Sequence, residues 1–148
     1  MPRTWILVAD GARARLIEQD PEERRQLKAT AEREFSGTTA QSREIASDRP
    51  GRTFDRAGEG RHAMEPSSDP LRHAKLEFAR DLAEHLTRAV NKHAFDRLIV
   101  IAAPRTLGDL RDLLPDAVRE RVVAEIDKDL TWMSLPELGK HIDPKLLR

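Results

Sequence analysis

The fold of this chain follows from one stretch of sequence, Trp5-Ile-Leu-Val-Ala-Asp-Gly-Ala-Arg-Ala-Arg-Leu-Ile-Glu18. Two apolar runs flank an Asp-Gly pair, which indicates a β-hairpin because a type I′ turn needs positive φ at both of its central residues. We therefore predict strands over about 4–9 and 12–18. The first strand is apolar on both faces and should be central, whereas the second alternates and should show one face to solvent.

The segments that follow complete a mixed α/β pattern. Alternation over residues 26–35 predicts a third strand, and a helix stays an alternative there because Glu and Ala are poor strand formers. Asp69 and Pro70 begin an amphipathic helix over about 70–93, since Asp is a good N-cap and proline suits the first helical position. The segment 95–103, with its apolar run from Leu98 to Ala103, then predicts a buried strand.

The last third of the chain predicts two helices around one ambiguous segment. Thr106 is the expected cap of the first helix, and Pro115 ends it. Residues 119–127 fit either a strand or a helix, and Ser134-Leu-Pro-Glu137 is a capping box before a short last helix. This order of elements predicts a single α/β domain over residues 1–148, with a mixed β-sheet flanked by helices.

Composition excludes several classes of protein. The chain has 148 residues with 26 Lys plus Arg and 26 Asp plus Glu, so its net charge is zero and it is not a generally basic nucleic-acid binder. It has no Cys, which rules out disulfides, thiolate nucleophiles and Cys-ligated metals. No apolar run reaches the roughly 18 residues of a membrane span, so we expect a cytoplasmic protein. An exposed edge strand, 12–18 or 27–35, would allow a dimer, but the sequence does not fix the oligomeric state.

Residues 36–68 differ from the rest of the chain, with several Gly and Pro residues and few large apolar ones. A segment of this length without regular structure is unusual in a compact domain, so it is either functional or a solvated loop. Glycine lets a backbone approach a ligand closely, and Arg can clamp a phosphate. The candidate binding residues of this segment are Arg49, Arg52, Arg56, Gly58, Gly60, Arg61 and His62.

Motifs for catalysis or cofactor binding are weak. Gly58-Glu59-Gly60 follows no strand, so it is neither a P-loop nor a dinucleotide fingerprint. We expect no catalytic residue, no cofactor and no metal site. Asp10 with Asp96 and Asp109 would be the acids of a metal-dependent nuclease, but the simpler role of Asp10 is in the turn itself.

Several motifs, in this order, resemble the bacterial host attachment proteins. They are Trp5-Ile-Leu-Val-Ala-Asp-Gly-Ala-Arg-Ala-Arg, Gly51-Arg-Thr-Phe-Asp, Gly60-Arg-His-Ala-Met-Glu-Pro, Asp69-Pro70, Ile101-Ala-Ala-Pro-Arg-Thr-Leu-Gly-Asp-Leu-Arg and Glu125-Ile-Asp-Lys-Asp-Leu-Thr. The resemblance covers nearly the whole chain. That family is similar in turn to the middle domain of archaeal and eukaryotic peptide-chain release factors and of Pelota.

The resemblance implies a ribonuclease H-like α/β fold and a ribosome-associated role. Release factors carry a Gly-Gly-Gln loop between the early strands and the long helix, and the equivalent place here holds Gly58-Glu59-Gly60-Arg61-His62. Without that glutamine, the resemblance does not extend to peptide release. We expect a non-catalytic binding protein whose 49–62 loop contacts the ribosome or structured RNA. The alternatives are a ribonuclease H-like metal-dependent hydrolase and an adaptor that binds a protein partner.

Overall fold

The computed structural model of the chain describes residues 2–37 and 69–147, and the predicted opening hairpin forms in the first of these ranges. The strands of the described residues are β1 (Thr4–Ala9), β2 (Arg13–Gln19), β3 (Ala29–Ser36), β4 (Arg97–Ala102) and β5 (Val122–Ile126). The strand interpretation of residues 26–35 is therefore confirmed, and the ambiguous segment 119–127 is a strand rather than a helix. The predicted long segment 36–68 falls almost wholly outside the described residues.

The long amphipathic helix is also confirmed, and it begins where its cap residues predicted. The described helices are α1 (Pro70–Asn91), α2 (Pro104–Leu113), α3 (Asp116–Arg119) and α4 (Leu135–Gly139), followed by a 3₁₀ helix over Pro144–Leu147. Asp69 caps α1 by accepting a hydrogen bond from the backbone N–H of Leu71 at 3.0 Å. Ser134 accepts one from the backbone N–H of Glu137 at 3.4 Å, so the predicted cap of α4 is correct.

Two local predictions are wrong. Thr106 does not cap α2, which begins two residues earlier at Pro104 with Ala103 at the N-cap, and Thr106 is instead buried inside the helix. The Asp-Gly turn has no type I′ backbone either, because among the described residues only His93 has a positive φ, at 56°. The Asp10 carboxylate closes that turn instead, as Oδ1 accepts from the backbone N–H groups of Ala12 and Arg13, each at 2.7 Å.

The strands of the described residues form one five-stranded sheet in the order β3-β2-β1-β4-β5. β2 is antiparallel to β1 and β3, whereas β4 is parallel to β1 and β5 is parallel to β4. This arrangement confirms the predicted α/β class, with a mixed sheet flanked by helices, whereas the ribonuclease H-like assignment stays a prediction. β2 lies inside the sheet, so residues 12–18 cannot be the edge strand considered for a dimer, whereas β3 is an edge of the described sheet.

Alternation along β1 divides the core into two layers, because successive strand residues point to opposite faces. Odd-numbered residues such as Leu7 belong to the cluster built with α1 and α2, which includes Leu110. Even-numbered residues such as Val8 belong to the second cluster, which includes Leu138 of α4. Every residue of β1 is buried, so the prediction that this strand is central is confirmed.

Candidate functional site

The binding residues predicted from sequence lie outside the described part of the chain. They are Arg49, Arg52, Arg56, Gly58, Gly60, Arg61 and His62. The structure does place the two ends of the segment that carries them. At one end, the backbone N–H of Gly37 donates to the carbonyl of Ala12, just past β1, at 2.8 Å. At the other end, Asp69 caps the first turn of α1. Both ends therefore lie near the carboxyl end of β1.

A crevice of about 230 Å³ opens at this same edge of the sheet. β1 and β4 are adjacent and parallel, and the chain leaves them in opposite directions, to β2 and to β5. Ligands of α/β proteins bind at such a switch point, beyond the carboxyl ends of the strands. The residues that line the crevice are Asp10, Gly11, Ala12, Arg72, Lys75, Ala103, Arg105, Thr106 and Asp129.

An ion pair joins the two helices that flank the crevice. Both terminal nitrogens of Arg72 in α1 donate to the carboxylate of Asp109 in α2, at 2.8 and 2.5 Å. This hydrogen-bonded carboxylate raises the pKa of Arg72 above its ordinary value. Asp109 is the one charged side chain among the buried polar residues of the described ranges, at 9% exposure. The pair therefore positions α1 against α2, and Arg72 is already committed to a protein partner.

Lys75 and Arg105 are the cations of the crevice that have no ion pair among the described residues. Lys75 lies against Gly11, where an added Cβ would come within 2.8 Å of the lysine side chain. The carboxylates of Asp10 and Asp129 also line the crevice. The hydroxyl oxygen of Thr131 lies 3.4 Å from the Asp10 carboxylate and 2.7 Å from that of Asp129, and it can donate its proton to either one. The crevice thus combines two available cations with two acids that local hydrogen bonds hold in place.

A wider groove of about 690 Å³ lies beside this crevice, between the β2–β3 ribbon and residues 131–133. Trp132 projects here with 74% of its surface exposed, and the guanidinium carbon of Arg13 lies 5.4 Å from its ring centroid. Arg15 holds the backbone of this loop, since its guanidinium pairs with Glu32 at 2.7 Å and donates to the carbonyl of Met133. The exposed indole is therefore presented from a fixed position.

The acids considered for a metal-dependent nuclease do not come together. Asp96 precedes β4 at the amino end of the sheet, where its carboxylate accepts from the backbone N–H of Arg3 at 2.7 Å. Asp10 follows β1 at the opposite end, and Asp109 is paired with Arg72. Residues 2–37 and 69–147 contain no group of three or more His, Asp or Glu side chains that could hold a metal ion.

The fold and the crevice define an α/β domain with a mixed sheet and a polar site at the carboxyl edge of its central strands. The family described as "Protein required for attachment to host cells" matches residues 5–142, and the chain belongs to that family. The predicted family is thus confirmed, while its relation to release factors and Pelota stays a prediction. No curated protein matches this chain in sequence.

Among solved structures, the chain is similar to the type II variant of the Aquifex aeolicus Ppx/GppA phosphatase. The sequences are 13% identical, the match covers 85% of this chain and 35% of the phosphatase chain, and the TM-score is 0.44. The chain thus spans about a third of the length of that phosphatase, and no activity is carried over from it. Within the described ranges, every helix is too short or too polar to cross a membrane.

Proposed function

We propose that this member of the host attachment family is a cytoplasmic, non-catalytic protein that binds structured RNA, such as that of the ribosome. One observation carries the proposal. The ends of the segment with the predicted binding residues, Gly37 and Asp69, flank the crevice that presents Lys75 and Arg105. The position of the two ends beside these two cations supports a composite surface for phosphate groups.

Charge decides how such a surface would work. Because the net charge of the chain is zero, no long-range field attracts RNA to the whole protein. Binding must therefore be local, with Arg52, Arg56 and Arg61 adding to the two cations of the crevice. Each phosphate contact releases a counterion, so affinity falls as salt rises. A local site of this kind favours RNA of defined shape over any polyanion.

Trp132 adds a second kind of contact to this surface. Its indole is 74% exposed, and its loop follows Asp129, which lines the crevice, by three residues. An aromatic face next to cations is the usual arrangement for unpaired bases of RNA, where stacking contributes about 1–3 kcal/mol per base. We expect one unpaired base to stack on Trp132 while the neighbouring phosphates contact the cations.

Co-sedimentation with ribosomes and gel shifts with structured RNA, each over a series of salt concentrations, test the proposal. Replacement of Arg52, Arg56 and Arg61 together by Ala should weaken binding and lower the salt slope by about 2–3, since each lost phosphate contact removes roughly 0.7–0.9. A double Gln variant of Arg24 and Arg25 is the matched control, because their loop lies at the opposite end of β2. No binding at low salt, or equal losses in both variants, would contradict the proposal.

The adaptor alternative predicts a different partner for the same exposed surface. Pull-down of partners from lysate, with and without ribonuclease, separates the two functions. RNA binding predicts that partners are lost after ribonuclease treatment and that Trp132→Ala weakens capture, while Trp132→Phe retains it. Partners that survive the treatment would favour the adaptor instead.

A further inference from the structure

A second cavity, of about 310 Å³, lies at the other end of the sheet from the crevice. Its floor includes Trp5 at the start of β1 and Leu16 of β2, and its wall includes Ala89 in the last turns of α1. Small-molecule sites typically combine such an apolar floor with a few converging polar groups. The cavity is large enough for a ligand of the size of a substituted benzene ring.

Two side chains that line this cavity each have a buried nitrogen without a hydrogen-bond partner. In the described residues, the buried side-chain nitrogens or oxygens without a partner are Nε1 of Trp5 and Nε2 of His85, and both residues line this cavity. Trp5 is only 7% exposed, so its N–H cannot rely on bulk water. A buried donor without a partner costs about 1–3 kcal/mol, and such a group calls for an explanation. A bound molecule with an acceptor atom would supply the missing partner.

Neighbouring rings hold both of these groups in place. The Trp5 ring packs on Phe95 with centroids 4.9 Å apart, and the His85 ring meets Phe35 edge to face at 5.1 Å. Burial lowers the pKa of His85, and the charges of Arg33 and Arg88 lower it further. Because the His85 imidazole is neutral, the positive charge at this cavity comes from the Arg and Lys side chains at its rim.

Cations dominate that rim. The charged residues that line the cavity are Arg3, Arg33, Arg88, Lys92 and Glu18. Arg3 lies 3.9 Å from Glu18, the carboxylate among them. Arg33, Arg88 and Lys92 have no ion pair with any described residue. An anion would balance these cations, and the water-exposed rim is where its charged group would remain hydrated.

We propose that this cavity binds a small organic anion, with its carboxylate or phosphate between Arg33, Arg88 and Lys92. Its apolar body lies on Leu16 and Ala89, and an acceptor atom takes the hydrogen bond of Trp5 Nε1. This site is separate from the RNA surface proposed above and does not depend on it. Carboxylate and phosphate share the recognition chemistry, and different probes distinguish them.

Trp5 itself provides the signal for the test. The protein has two Trp residues, so Trp132→Phe leaves Trp5 as the sole indole. In this background, benzoate and phenyl phosphate are titrated while the fluorescence and the indole N–H resonance of Trp5 are followed. We expect one of these two compounds to give a saturable titration that shifts the indole N–H resonance downfield. The compound that does so shows whether the site prefers a carboxylate or a phosphate. Benzamide, the neutral analogue, should bind at least about tenfold more weakly, since a charge-assisted contact contributes about 1.5–3 kcal/mol.

Matched arginine variants test the role of the rim. Arg88→Gln should lower the affinity for the bound anion about tenfold. Arg80 lies on the same helix and pairs with Glu77, so Arg80→Gln should leave that affinity unchanged. If Arg88→Gln unfolds the domain, Arg33→Gln on the exposed strand β3 serves in its place. The proposal is overturned if neither anion binds, if inorganic phosphate binds as tightly as phenyl phosphate, or if both arginine variants respond alike.

Discussion

The ion pair between Arg72 and Asp109 gives the sharpest prediction about stability, because its two partners differ in burial. The side chain of Arg72 keeps 25% of its surface exposed, whereas that of Asp109 keeps 11%. Removal of Arg72 leaves a carboxylate with little access to water, while removal of Asp109 leaves a guanidinium that still reaches solvent. We therefore expect Arg72→Met to destabilise the domain more than Asp109→Asn does.

The magnitude follows from how buried the pair is. Breaking a fully buried ion pair from one side costs about 3–5 kcal/mol, and the partial exposure of Arg72 reduces this to about 2–3 kcal/mol for Arg72→Met. Asp109→Asn retains one oxygen acceptor and should cost about 1 kcal/mol. The double variant Arg72→Met/Asp109→Leu removes both charges and should recover at least about 1 kcal/mol relative to the sum of the single changes.

Urea unfolding followed by tryptophan fluorescence measures these differences. With a slope of about 2 kcal/mol per molar urea, Arg72→Met should lower the midpoint by about 1–1.5 M and the melting temperature by about 5–10 °C. Arg80→Met, which breaks an exposed pair with Glu77, should change stability by less than about 0.5 kcal/mol. A cost below that limit for Arg72→Met, or strict additivity in the double variant, would refute a structural role for the pair.

Three further predictions concern single side chains. Asp10→Ala removes the acceptor of two turn N–H groups and should lower the free energy of unfolding by about 1–2 kcal/mol, with Asp10→Asn milder in the same urea experiment. Burial lowers the pKa of His85 below its ordinary value of 6.5. As the pH falls, this imidazole is therefore protonated at a higher pH in the unfolded state than in the folded state. Stability should therefore decline as the pH falls through 6.5, and His85→Gln should flatten that decline. Ser134→Ala removes the cap of α4 and should cost about 0.5–1 kcal/mol, which Ser134→Asp restores in thermal unfolding.

The sequence predicts the order of the elements because their hydrophobic periods are long and distinct. Residues 5–9 are apolar without interruption, as a strand buried on both faces must be, and the apolar stripe of α1 repeats with the helical period. The turn at Asp10 shows where local reasoning stops. Asp-Gly fits a type I′ turn, but the carboxylate can close another turn by accepting two N–H groups, and only the structure tells which of the two forms.

The candidate sites were harder to predict because their residues meet through the tertiary fold. The crevice takes its cations Lys75 and Arg105 from α1 and from the start of α2, which no spacing in the sequence connects. Trp5 and His85 are 80 positions apart, one in an apolar strand and the other on an amphipathic helix. The tertiary fold, which packs β1 against the last turns of α1, places the two side chains at one cavity.

The zero net charge of the chain conceals two sites of different electrical character. At the carboxyl end of β1, Lys75 and Arg105 face two acids, whereas at the amino end four cations face Glu18 alone. The ends of β1 are about 17 Å apart, from five steps of roughly 3.3 Å, which is about twice the screening length of 8 Å at physiological salt. The sites should therefore respond to salt and to mutation independently. Arg88→Gln should weaken an organic anion while leaving RNA binding unchanged, and a joint loss would mean that the two surfaces act as one.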